Sequence, residues 1–201
     1  MIRINGVDRE STLHEPANME HGMYHMTANK HLYEPQRSTD FEFVITDMNG
    51  MGKVSTDQVY GDDAQEILRL AVVRCPIPHF TINALTERRG NSVQKFAGVP
   101  EFGEGELTVR DWIGADTKSI LMSWQNSAYD VVTDKVGLLD DYKKDCYLVE
   151  YTPDRQKVRQ WIIYGCWVNA ISEDPYDHEN SAARVITATI QYDKAVIDFD
   201  V

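Results

Sequence analysis

Apolar and polar residues alternate with a period of two along much of this 201-residue chain, and that period marks strands with one face in a core and the other in water. In the first such run Phe41, Phe43 and Ile45 lie on one side and Glu42, Val44 and Thr46 on the other. In residues 105–112, Leu107 and Val109 alternate with Glu106, Thr108 and Arg110. In residues 183–192, Ile186, Ala188, Ile190 and Tyr192 oppose Val185, Thr187, Thr189 and Gln191. Residues 91–97, 146–151 and 158–168 read as further strands, the last two joined across Thr152-Pro153-Asp154. The segment GVPEFGEG, residues 98–105, carries three glycines and a proline and predicts a turn.

A helical period is clear only in residues 116–130, where Ile120, Leu121, Trp124 and Ala128 share a face and Asp116 is placed to cap the first turn. Residues 62–75 fit two readings. Asp63 and Glu66 resemble a capping box, and Ala64, Ile67, Leu68 and Ala71 fall on one helical face, yet LRLAVVRC equally suits a strand. Pro76 and Pro78 end either one and force an extended passage into residues 79–82. The expected architecture is mainly β, a small barrel or sandwich with one flanking α-helix. Residues 1–40 lack periodicity and hold four of the six histidines and four of the seven methionines. They read as an extended N-terminal arm preceding a β domain over residues 41–201.

Composition narrows the function. Hydrophobic residues at 42% and charged ones at 26% suit a chain that buries a core. No apolar run approaches the ~20 residues that span a bilayer. The first residues lack both a basic and an apolar leader region, so the chain is expected to stay in the cytoplasm where it is made. A net charge of −12 argues against wrapping around phosphate backbones, although a surface that repels a polyanion lets it slide past. Cys75, Cys146 and Cys166 are odd in number and widely spaced, which predicts reduced and mostly buried thiols.

Catalytic patterns are sparse. His21 and His25 stand four apart, as paired metal ligands do on a helix, but no third ligand is fixed by spacing. Polar histidines on a partner-bound arm are the plainer reading. Asp140-Asp141 and Glu173-Asp174 are paired carboxylates of the sort acid/base chemistry needs, and solvated turns account for them as well. Cys75 beside Arg74 has a cation to lower its pKa, while a cysteine on an apolar strand is ordinarily core. Gly103-Glu104-Gly105 lacks the third glycine and the context of a dinucleotide loop. Trp112, Trp124, Trp161 and Trp167 suit core and subunit contacts better than a base-stacking platform, which also needs cations. No enzyme activity, cofactor or metal is expected.

The runs WIIYGCWVNAIS (residues 161–172), Pro175-Tyr176-Asp177 and ARVITATIQYDKA (residues 183–195) resemble the C-terminal strands of tail tube proteins from contractile-tailed bacteriophages. The order of residues 68–82, 106–112 and the helix with Trp124 is similar to that family too, so the resemblance covers residues 41–197. It implies the tail tube fold, a small β-barrel with a flanking helix, shared with the haemolysin-coregulated tube protein (Hcp) of type VI secretion. It also resolves residues 68–75 as strand. It implies hexameric rings stacked into a tube for DNA ejection, with tail sheath and baseplate proteins as partners, viral DNA passing without specific binding, no membrane, and a place in the virion tail after assembly in the host cytoplasm. The arm and residues 135–145 have no counterpart in that pattern, which leaves a baseplate or terminator ring and a type VI-like carrier as alternatives, and a metal-binding module on the arm's histidines as a third. In such a tube the polar faces Glu106, Thr108 and Arg110, and Thr187, Thr189 and Gln191, are lumen candidates, although an ordinary solvent-facing sheet shows the same alternation. The acidic residues 171–201 are the candidate counterpart of Arg88 and Arg89 on the next ring.

Overall fold

The structure, a computed structural model, describes residues 3–4, 7–8, 35–48, 51, 53–54, 58–59, 64–114, 116–178 and 182–198, four short pieces of these as backbone alone. The chain divides into two units, Met1–Ser38 and Thr39–Val201. In the first, Arg3–Ile4 pairs antiparallel with Val7–Asp8.

The second unit begins with β1 (Phe41–Ile45), helix α1 (Ala64–Ala71) and β2 (Val72–Arg74). A long hairpin follows, β3 (Phe80–Arg89) and β4 (Ser92–Phe102), and then β5 (Gly105–Arg110) and helix α2 (Thr117–Ala128). Tyr129–Asp130 pairs with Lys135–Val136, and the single turn α3 (Leu139–Tyr142) leads into β6 (Lys144–Tyr151). The chain closes with β7 (Lys157–Glu173), β8 (Val185–Gln191) and β9 (Lys194–Asp198).

Seven strands share one antiparallel sheet in the order β1-β6-β7-β8-β5-β2, with β9 also on β7. β7, 17 residues long, serves both halves of it. Its first part lies between β6 and β9, and its second carries β8. The pairs Tyr164 with Lys194 and Trp167 with Gln191 keep one register, so β8 and β9 follow each other along the same edge of β7. Between them β7 kinks at Gly165, whose φ is +66°. An added Cβ there would lie 2.4 Å from Asp193 Oδ2, and Lys143 Nζ holds that carboxylate at 2.6 Å. Only glycine meets both demands. Among the described residues the outer strands β1 and β2 do not pair with each other, so the sheet stays open rather than closing into a barrel.

The alternation seen in the sequence delivers the core. Leu107 and Val109 of β5, and Ile186, Ala188 and Ile190 of β8, are fully buried beneath α1, which contributes Ala64, Leu68 and Ala71, and α2, which contributes Ile120, Leu121 and Trp124. Trp124 satisfies its indole by donating to Tyr142 O at 2.8 Å. Asp116 caps α2 by accepting from Ser119 N at 3.1 Å. Trp161 and Trp167 are half-buried, the latter edge-on to Tyr142, and Trp112 is exposed.

Three expectations are corrected. Residues 68–75 are not one strand: α1 runs to Ala71 and β2 covers only Val72–Arg74. Spacings of four and three bring Ala64, Leu68 and Ala71 inward while Arg69 and Leu70 face water, an arrangement that strand alternation cannot produce. Residues 98–102 do not form a turn but continue β4, the turn being confined to Gly103-Glu104. Gly98 and Val99 lie opposite Asn83 as a β-bulge, and a Cβ on Gly98 would sit 2.4 Å from Asn83 O, so this glycine marks close backbone approach. Finally, α1 and α3 accompany the one helix expected, and β9 extends the chain's strands beyond Tyr192.

Candidate assembly interface

Two adjacent strands bring the six polar-face candidates together. Thr108 lies opposite Thr187, Glu106 opposite Thr189, and Arg110 opposite Val185, and directly opposite residues share a face. Gln191 completes the row by donating from Nε2 to Glu104 Oε2 at 2.8 Å. Register extends the face to residues that sequence reasoning missed: Arg74 of β2 beside Thr108, and Ser172 of β7 beside Thr187. Arg74 comes from a segment assigned whole to strand or helix, and Ser172 from a run with no clean alternation. The face is near neutral, with Arg74 and Arg110 against Glu104 and Glu106, unlike the chain's overall −12.

Arg88 and Arg89 lie elsewhere, at the tip of the β3–β4 hairpin, where Gly90 takes φ +63° and Ser92 Oγ donates to Arg89 O at 3.0 Å. The hairpin's root is tied to the body. Phe80 and Phe102 rings stand 5.5 Å apart, Phe102 meets Tyr192 at 6.0 Å, and His79 N donates to Tyr192 Oη at 3.1 Å. Beyond the root nearly every residue is exposed on both faces. That exposure includes the opposed pair Leu85 and Phe96, 61% and 48% exposed. A two-stranded ribbon with both faces in water is at best marginally stable, and exposed apolar pairs of this kind are features of contact surfaces.

A second exposed apolar surface follows α2. Residues 129–139 turn Val131, Val132, Val136 and Leu138 to solvent, Val132 being 91% exposed. The loop holds its own shape: Asp130 accepts from Val132 N at 3.0 Å and Thr133 Oγ1 at 2.6 Å, Tyr129 Oη donates to Asp134 Oδ1 at 2.8 Å, and Gly137 N donates to Ala128 O at 3.0 Å. Its hydrogen bonds to Thr133 and Val132 hold the Asp130 carboxyl below the usual carboxylate range.

The candidates for chemistry come apart. Glu173 is an ion-pair hub, accepting from Lys118 Nζ at 2.7 Å and from Arg184, whose guanidinium also lies 3.8 Å over the Tyr176 ring. The bond from Lys118 and that from Arg184 lower the Glu173 pKa, the reverse of what a general acid needs. Asp140 and Asp141 stand in the first turn of α3 and are exposed. Burial pushes the Cys75 thiol up to about 12, so Arg74 does not activate it. His21 and His25 lie outside the described residues, and among the described residues no three His, Cys, Asp or Glu side chains cluster as metal ligands would. Among them, too, no helix is long and apolar enough to cross a membrane.

No family model and no curated protein matches the sequence. Solved structures do. The chain is similar to the tube-terminating cap of the anti-feeding prophage, with 14% identity and a TM-score of 0.58 over 82% of this chain and 91% of that one. It is similar to a chain of the sheath-tube complex of the extracellular contractile injection system PVC, with 13% identity and a TM-score of 0.57 over 86% and 97%. The SPP1 tail tube matches at 9% identity and a TM-score of 0.50 over 83% and 81%. At these identities the likeness establishes the fold: the chain has the mainly β fold of tail tube and tube-terminator proteins.

Proposed function

We propose that this protein is a structural tail tube subunit of a contractile phage or related injection system, without catalytic activity, which assembles into hexameric rings that stack as the conduit for DNA ejection. The fold likeness over more than four-fifths of the chain to a tube-terminating cap, a chain of a sheath-tube complex and a tail tube supports this reading. The polar face around Thr108 and Thr187 is the wall toward the lumen. With Arg74 and Arg110 offset by Glu104 and Glu106, it offers a polyanion no cluster of cations to bind, which suits passage rather than retention. Sheath and baseplate proteins are its partners outside the lumen. The protein belongs to the virion tail and assembles in the host cytoplasm.

Negative-stain electron microscopy of the concentrated protein, with light-scattering mass on the same sample, tests this. Six-fold rings or hollow tubes are expected, and a monomer unchanged by concentration and salt rejects the reading. Two of the similar structures are described as tube terminators, which favours a terminal ring as the second reading. Rings that never stack, even when seeded with tube, would select it.

A further inference from the structure

The exposed hairpin needs a surface to meet, and the chain itself offers one. The hairpin's distal part, residues 86–95, carries Arg88, Arg89 and Lys95 against the single carboxylate Glu87. In the acidic C-terminal stretch two carboxylates are already paired, Glu173 with Lys118 and Arg184, and Asp193 with Lys143. Residues 129–141 keep Asp140 and Asp141 exposed. They hold Asp130, Asp134, Asp140 and Asp141 against Lys135 alone, and they interleave these acids with the exposed Val131, Val132, Val136 and Leu138.

The two surfaces are complementary in charge and alike in apolar character, and both stand exposed, so neither covers the other within one copy. We propose that the β3–β4 hairpin tip of one subunit docks on residues 129–141 of a second copy, its arginines against Asp140 and Asp141 and the Leu85–Phe96 pair against the valines and Leu138. This rests on the tube reading and names the receptor for its hairpin. Because the two patches are different, the contact is heterologous: each copy offers a hairpin and a receptor, and repetition closes a ring or continues as a helix according to the rotation between copies. The carboxylates steer encounter and reject wrong registers, and the apolar residues supply the area removed from water.

A charge-swap series tests the pairing by ring yield in electron microscopy and by the concentration at which light-scattering mass rises. Arg88→Glu with Arg89→Glu, and separately Asp140→Lys with Asp141→Lys, each place like charges together and are expected to raise that concentration about tenfold or more. All four substitutions in one chain restore opposite charges and are expected to restore rings. Circular dichroism and thermal melting of each variant confirm that the body remains folded, as the exposure of these four sites predicts. Full assembly of both double variants, or failure of the four-fold variant to recover while folded, overturns the docking and leaves the tube reading standing. A wild-type chain that stays monomeric overturns both.

Discussion

At the scale of single residues, Gly165 and Glu173 each answer two demands at once. Gly165 combines φ +66° with a carboxylate against its α-carbon, so Gly165→Ala should cost about 1–3 kcal/mol through a conformation that L residues rarely hold. Urea denaturation would measure it, and a loss below a few tenths would show that Asp193 simply moves aside. Glu173 binds Lys118 and Arg184, and its folded pKa falls below the ordinary 4.5. A group depressed in this way stabilises the fold above its unfolded pKa, and that contribution is lost as pH drops through the folded value. Melting temperature should therefore fall as pH is lowered below about 4.5, less steeply in Glu173→Gln, which lacks the titrating group but has already lost its pairs. Parallel acid limbs for the two proteins would mean the hub is energetically silent.

Elements differ in how much of themselves the sequence discloses. β1, β5, β8 and α2 are legible because each sets one apolar face against one polar face, and Phe43, Val109, Ile186 and Trp124 fall where the period puts them. The β3–β4 hairpin is not, since with both faces in water no period separates inside from outside, and the glycines around residues 98–105 imitate a turn. β9 hides because Asp193 interrupts a strand that resumes in register. The six polar-face residues could be listed from alternation, yet their union with Arg74 and Ser172 depends on strand order, which carries no local signal. The hairpin also separates stability from assembly. Replacing residues 83–98 by a two-residue turn removes mostly exposed side chains, so the melting temperature should change by no more than a few degrees while rings disappear. Trp124→Ala, by contrast, empties a site with no exposure and should cost about 3–5 kcal/mol. A large fall in melting temperature on trimming the hairpin would make it part of the folding core.

At the scale of the molecule, net charge and local charge act separately. A subunit at −12 repels its copies over long range, while the cationic hairpin tip attracts the carboxylates of residues 129–141 at short range. Salt screens the first over about 8 Å at physiological strength and weakens the second, so ring yield should pass through a maximum as ionic strength rises. Light scattering across a salt series would trace it, and a monotonic fall would show that contact charge alone governs association.

The single strand that serves both halves of the sheet has a consequence for cooperativity. Since β7 passes from β6 and β9 to β8 through the kink at Gly165, neither half can open without disturbing a strand of the other. The described β body is thus expected to exchange its slowest amide hydrogens only on global unfolding, with those of Trp161, Ile162 and Ile163, flanked by β6 on one edge and β9 on the other, the last to go. The hairpin, which among the described residues is held at its root, should exchange early and apart from them.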